Sequence, residues 1–328
     1  MSDRAMEVQR ITKSFRVRGE DGRVILRAVD DASFTLKTGE ILGLVGESGC
    51  GKSTLARILL RLIEPDGGKI LFEGEPFTGI SPRQTRRMRR NVQIVFQDAL
   101  SSLNPRMTML ENIIEPMRLQ GIGSEHERRT AAMNLIDLVG LQSNRATHYP
   151  HEFSGGQCQR IAIARALILR PKVIIFDEAT SALDVSIRAQ ILRLIIDLQK
   201  SFGFSYLFIS HDMSVVKRIA DRVAVMYLGR IVELGPSEDI YRNPLHPYTE
   251  ALLKAIPIPD PRRMRVSSLG LLEGEAASPL DQTTGCAFRN RCAYRMPICS
   301  ERSPALVPTE PHHEVACFRH DPRSRAEG

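Results

Sequence analysis

Two stretches of this 328-residue chain carry side chains arranged for phosphate chemistry. The first is GESGCGKST, Gly46 to Thr54, which follows the apolar run ILGLV and opens a run with helical spacing. Gly46, Gly49 and Gly51 let backbone N–H groups approach phosphate oxygens, and the helix start adds its positive end. Lys52 would place a point charge between the β- and γ-phosphates of a nucleoside triphosphate, and Ser53 would offer a hydroxyl to Mg²⁺. Glu47, Ser48, Cys50 and Thr54 complete the cradle. A dinucleotide loop has the order G-x-G-x-x-G and gives Lys-Ser no role. The second stretch is VIIFDE, residues 173–178, a buried strand that delivers two carboxylates at its end. Adjacent strand residues point to opposite sides, so the two have different tasks. Asp177 would hold Mg²⁺ through water, and Glu178 would polarise the attacking water. Without the glycine loop, the same pair would read as solvated carboxylates.

Two further groups aim at the same edge. His211 in FISHD closes another buried strand and reads as a γ-phosphate sensor or as a structural histidine. Gln97 follows the strand NVQIVF, within reach of the metal. A third feature is HEFSGGQCQR, residues 151–160. Ser154 caps a second helix start there, with Gly155, Gly156 and Gln157 behind it. One triphosphate does not require two such helix starts in the same chain.

The elements that position these groups follow from periodicity. MEVQRITKSF and VILRAVDDASFTL alternate apolar and polar residues, as strands of an antiparallel patch do. ILGLVG, KVIIFDE and FSYLFISH are continuous apolar runs, as in a parallel sheet covered on both faces. KILFEG and NVQIVF add strands. GKSTLARILLRLI, ENIIEPMRLQ, RTAAMNLIDLVGL, IAIARALILR and IRAQILRLIIDLQKSF repeat with helical period. The order predicts a doubly wound α/β core with a helical insertion. The expected organisation is a catalytic domain over 1–242, its helical subdomain over about 98–169, and a separate, Pro- and Cys-rich extension over 243–328.

Bulk properties narrow the class. The amino terminus MSDRAMEVQR lacks the apolar core of a secretory leader, and no apolar run approaches the roughly 18 residues of a membrane span. The charge is +7. The densest basic stretch, SPRQTRRMRR, has no aromatic residue beside its arginines, so it reads as a solvated face and nucleic acid is not expected.

Taken together, these motifs resemble the ATP-binding cassette (ABC) ATPases across about residues 6–250. GESGCGKST resembles Walker A, VIIFDE Walker B, and FSGGQ the signature motif, with Phe153 in place of the usual Leu. Gln97 resembles the Q-loop glutamine, SALD (Ser181 to Asp184) the D-loop, and His211 the switch histidine. The resemblance implies the P-loop ABC fold: parallel-sheet core, antiparallel β patch and helical subdomain. It implies ATP hydrolysis with Mg²⁺ on Ser53, Gln97 and Asp177. It also implies a dimer in which Ser154, Gly155, Gly156, Gln157 and Asp184 of one subunit touch the nucleotide held by the other, which accounts for the second helix start. Adenine would stack on Phe15. FQDALSSLNPRMT and NPLHPYTEALLKAIP resemble the ATPase subunits of oligopeptide and dipeptide importers, with Ala99 in place of the expected Pro. This implies a peripheral subunit on the cytoplasmic face of a membrane. A second ATPase subunit, copy or paralogue, two permeases and, indirectly, an extracytoplasmic solute-binding protein would be its partners. Nickel and other small-solute importers share much of the pattern, and a soluble, non-transport ABC ATPase is the rival of a different class.

Cys286, Cys292, Cys299 and Cys317 fall in the Pro-rich extension. A disulfide framework conflicts with the absent leader. The spacing lacks the short pairs usual for zinc. Free thiols, a zinc site and a four-thiolate cluster remain open. The importer ATPases that the chain resembles can carry such a tail with a [4Fe–4S] cluster, which would act as a structural clamp.

Overall fold

The computed structural model describes residues 3–19, 22–256 and 284–321. The first half runs β1 (Arg4–Gly19), β2 (Gly22–Lys37), β3 (Ile41–Val45), α1 (Lys52–Leu59), β4 (Gly67–Phe72), β5 (Glu75–Pro76), α2 (Pro82–Met88) and β6 (Val92–Val95). A helical block follows: α3 (Ala99–Ser102), α4 (Met109–Gln120), α5 (Glu125–Leu138) and α6 (Gly155–Leu167). The core resumes with β7 (Val173–Asp177), α7 (Val185–Phe202), β8 (Ser205–Ser210), α8 (Met213–Ile219), β9 (Arg222–Tyr227) and β10 (Arg230–Pro236). The chain ends with α9 (Ser237–Arg242), α10 (Pro247–Lys254), α11 (Ile298–Glu301), β11 (Val307–Glu310) and β12 (His313–Val315).

Period-two alternation at the start of the chain builds a four-stranded antiparallel sheet, β2-β1-β4-β5. The continuous apolar runs build the other sheet, ordered β11-β12-β10-β9-β3-β8-β7-β6. Its strands from β9 to β6 are parallel. Strand residues alternate between two cores. Leu42 and Leu44 of β3 pack with Leu55, Ile58 and Leu59 of α1 and with Met6, Val8 and Phe72 of the antiparallel sheet. Ile41 and Val45 face the other way, towards Ile113, Ile161, Ile195 and Val216 of the surrounding helices. Helix α1 therefore lies in the layer between two sheets, and its amino terminus is held at the carboxyl ends of β3 and β7.

Capping boxes start three helices of the insertion. Thr108 pairs with Glu111, Ser124 with Glu127, and Ser154 with Gln157. The arginine-rich stretch is α2, largely exposed as expected, although Arg89 Nε donates to the Leu60 carbonyl at 3.0 Å.

The extension is loop-rich but not separate. Glu233 of β10 pairs with Val315 of β12, β11 pairs with β12, and Ala316 N–H donates to the Val232 carbonyl at 2.8 Å. The reason is that β10 would otherwise expose an unpaired edge, which a late strand covers. Residues 257–283 and 322–328 of the extension, including the proline-rich IPIPDPR beyond Ile256, lie outside the described residues. No helix among the described residues is long and apolar enough to cross a membrane.

Candidate active site

The glycine loop connects β3 to α1 and folds around its own lysine. The Lys52 side chain is 3% exposed, and Nζ donates to the carbonyls of Gly46 at 2.8 Å and Glu47 at 2.9 Å. These two bonds hold the ammonium inside the loop. Gly51 has φ +111°, and a Cβ there would lie 2.1 Å from the Ala28 carbonyl oxygen, so no other residue fits. Cys50 is buried, and burial pushes its thiol pKa up, which makes it an inert wall.

Strand β7 brings the two carboxylates to the same place. Ser53 Oγ donates to Asp177 Oδ1 at 3.0 Å. Burial raises the pKa of Asp177, and the neighbouring Glu178 charge adds to the shift while the Ser53 hydrogen bond opposes it. A buried carboxylate beside a hydroxyl is the hard-oxygen donor set that suits Mg²⁺. Glu178 has φ +50°, a left-handed backbone that a non-glycine residue adopts at a cost of order 1–3 kcal/mol. It is held there because its N–H donates to the Ile209 carbonyl at 3.0 Å and its carbonyl accepts from Ser181 Oγ at 2.9 Å. Glu178 Oε1 lies 3.9 Å from Lys52 Nζ, and Oε2 lies 3.1 Å from His211 Nδ1. Lys52, Ser53, Asp177, Glu178 and His211 thus form one linked group at the carboxyl ends of three parallel strands, the edge where open α/β sheets place their ligands.

Gln97 is exposed just after β6, next to Asp98, which caps α3. Phe15 sits half-buried on β1, opposite Leu26, with Lys13 Nζ 5.6 Å from its ring centre. Its partner Leu26 is two residues along β2 from Ala28, whose carbonyl abuts Gly51.

The second helix start is built apart from the first. Ser154 Oγ accepts from Gln157 N–H at 3.4 Å, and Gln157 Oε1 accepts from Ser154 N–H at 3.0 Å. Ser154 and Gly155 are exposed at the amino end of α6, as is Asp184 ahead of α7. A depression of about 420 Å³ adjoins this start, lined by Arg145, Phe153, Ser154, Gly156, Gln157 and Arg160, among others, and by no residue of the glycine loop. The Arg145 guanidinium lies 4.5 Å from the Phe153 ring centre. That stacking exploits the aromatic ring at the position where Leu is usual. Arg145 stands in no recognisable motif, and Arg160 closes the HEFSGGQCQR stretch without a signal of its own.

Two more residues that the motifs do not mark touch the loop. Tyr248 Oη accepts from Glu47 N–H at 2.9 Å, and Arg291 contacts both Glu47 carboxylate oxygens, at 2.9 and 3.0 Å. The His-Pro-Tyr element signals Tyr248. Arg291 has no local signal.

The four late cysteines are free thiols that line one cavity of about 10 Å³, room for roughly one water. Burial raises the thiol pKa of Cys286 and Cys292, and pushes that of Cys317 up to about 11. The donor set suits a thiolate-bound metal group, but among the described residues no three His, Cys, Asp or Glu side chains converge so as to hold a metal ion.

The family model described as ABC transporter matches residues 29–181, and the one described as oligopeptide/dipeptide transporter, C-terminal region, matches residues 232–299. The chain is 50% identical over 298 residues to the oligopeptide transport ATP-binding protein OppF of Escherichia coli (strain K12), covering 90% of this chain and 89% of that protein. It is 48% identical over 316 residues to the oligopeptide transport ATP-binding protein AppF of Bacillus subtilis (strain 168), covering 95% and 96%. Among solved structures, the dimeric ATP-binding cassette MJ0796 bound to ADP and phosphate superposes with a TM-score of 0.64 at 30% identity, covering 71% of this chain and 98% of that one. With the phosphate cradle, its carboxylates and the second helix start in place, these likenesses agree: the chain belongs to the ATP-binding subunits of the oligopeptide/dipeptide ABC transporter family.

Proposed function

We propose that this ATPase powers the uptake of oligopeptides or dipeptides from the cytoplasmic face of a membrane, as one of two ATPase subunits bound to two permeases. A solute-binding protein outside the membrane would deliver the cargo. The linked group of Lys52, Ser53, Asp177, Glu178 and His211 carries the hydrolytic part of this reading. The peptide cargo is supported by the relatives' names and by the C-terminal family. The same matches favour an importer over a soluble ABC ATPase.

Lys52 and the loop N–H groups bind the triphosphate, with Phe15 against the adenine. Mg²⁺ bound near Ser53, Asp177 and Gln97 would neutralise phosphate charge as it develops. Glu178 takes the proton of the attacking water, so that the new P–O bond forms as the β–γ bridging bond breaks and ADP leaves. His211 holds the Glu178 carboxylate in line. Ser154, Gly155, Gly156, Gln157 and Asp184 complete the partner's pocket, and the partner returns the same contacts. ATP closes the pair because it binds the closed state better than the open one.

A [4Fe–4S] cluster on Cys286, Cys292, Cys299 and Cys317, a structural clamp for the extension, would require these four thiols to draw together, because among the described residues no three of them converge so as to hold a metal. Anaerobically purified protein should contain about four iron atoms per chain, and iron-free protein of full stability would remove the cluster from the account.

Uptake of a labelled tripeptide by cells lacking this chain should be restored by the wild type and not by Glu178→Gln. Restoration by the variant, or undiminished uptake without the chain, would contradict the function.

A further inference from the structure

A carboxylate inside a phosphate cradle opposes its own ligand. Glu47 is the second residue of the loop, and its negative charge would repel a triphosphate. The extension supplies the answer from far along the chain. Arg291 is only 6% exposed and grips the Glu47 carboxylate with two nitrogens, at 2.9 and 3.0 Å. Its guanidinium carbon lies 5.9 Å from the ring centres of both Tyr227 and Phe288, and Nη1 lies 3.5 Å from Tyr227 Oη. Those rings pack on Tyr248, at 4.6 Å from Tyr227 and 5.5 Å from Phe288. Tyr248 in turn accepts the Glu47 N–H at 2.9 Å, while Lys52 takes the Glu47 carbonyl. All three polar groups of Glu47 are therefore fixed, two of them by residues beyond the core ATPase motifs.

We infer that Arg291 and Tyr248 are positioning residues of the triphosphate site: the extension braces the glycine loop and cancels the Glu47 charge. The inference rests on the reading of the loop as the ATP cradle. The planar fork of arginine matches a carboxylate with two bonds, which lysine cannot do. Neutralisation and fixing act on the bound ground state and the transition state alike, so the effect falls on ATP affinity and not on the chemical step.

The test is ATP titration of hydrolysis by the full assembled transporter. Arg291→Ala should raise KM for ATP about tenfold, with kcat within about twofold, the change expected for one charge pair. Adding Glu47→Gln to Arg291→Ala should bring KM back to within about threefold of Glu47→Gln alone, because the repelling charge is gone. Tyr248→Phe keeps the ring and removes the acceptor, and should raise KM by about threefold; it remains informative if Arg291→Ala does not fold. Unchanged KM in both single variants would overturn the inference, and so would a double variant as impaired as Arg291→Ala. Lys52→Ala, run alongside, separates the layers. If it loses ATP binding while Arg291→Ala and Tyr248→Phe behave as wild type, the brace alone is wrong. If Lys52→Ala binds ATP normally, the cradle reading fails and the brace with it.

Discussion

Lys52 and Glu178 are each held in place through backbone contacts. Lys52 is fixed by two carbonyls of its own loop, and Glu178 by β8 and Ser181 in a strained backbone. Glu178→Gln keeps the shape and removes the base, so turnover should fall about 10²- to 10⁴-fold while ATP binding stays intact; rapid turnover in a single-turnover assay would exclude the role. Asp177 is a case of stability traded for function. Burial raises its pKa, so the ionised form present at neutral pH is destabilised in the fold. Asp177→Asn should therefore raise the melting temperature of the nucleotide-free chain, and the gap should widen as pH rises through the carboxylate's range. The same variant should lose Mg²⁺-dependent hydrolysis. A lower melting temperature at every pH would mean that burial is not the controlling cause. Residue types and spacing made this cluster legible, because phosphate and water chemistry allow few substitutes. Arg145 and Arg291 were not legible, since arginine occurs everywhere and only the fold shows what it touches; Tyr248 and Arg160 stood in marked stretches, but their contacts did not show there.

The turn ahead of α10 shows how one element is locked to the sheet. Glu233 of β10 is fully buried and accepts from Leu245 N–H at 2.7 Å and His246 N–H at 3.0 Å, and His313 Nε2 of β12 lies 2.8 Å from it. Replacing Glu233 with Ala strands these donors and should cost about 3–5 kcal/mol in denaturant unfolding; a loss below the measurement error would show that the turn holds itself. His246 Nδ1 accepts from Tyr248 N–H at 3.0 Å, and burial pushes its pKa down to about 4 from an ordinary 6.5. The unfolded chain then takes up the proton first, so this stability is present above pH 6.5 and is lost as pH falls towards 4. The full loss corresponds to about 3 kcal/mol. His246→Asn, which keeps an acceptor, should flatten that part of the profile, and parallel profiles would contradict the assignment. Strands and helices of the core were readable because period two and period 3.6 are written in consecutive residues. The strand β12 was not, being three residues long and paired with β10 only after a long excursion of the chain.

At the scale of the whole molecule, the chain presents two glycine-bearing helix starts built from different elements. The α1 end has its lysine, carboxylates and histidine around it, whereas the α6 end has a capped serine, two glycines and an arginine-flanked depression. The sequence showed both halves, and the family resemblance implies how two chains combine them; the fold adds that the extension, anchored to β10 by β12, reaches the first half through Arg291. The most direct measurement is vanadate trapping of radiolabelled nucleotide in an assembled ATPase pair in which only this chain carries Ser154→Arg. The variant chain should keep its label and its neighbour should lose it. If the variant chain loses its own label while the neighbour keeps it, the α6 end serves the cradle of its own chain, and the shared site is refuted.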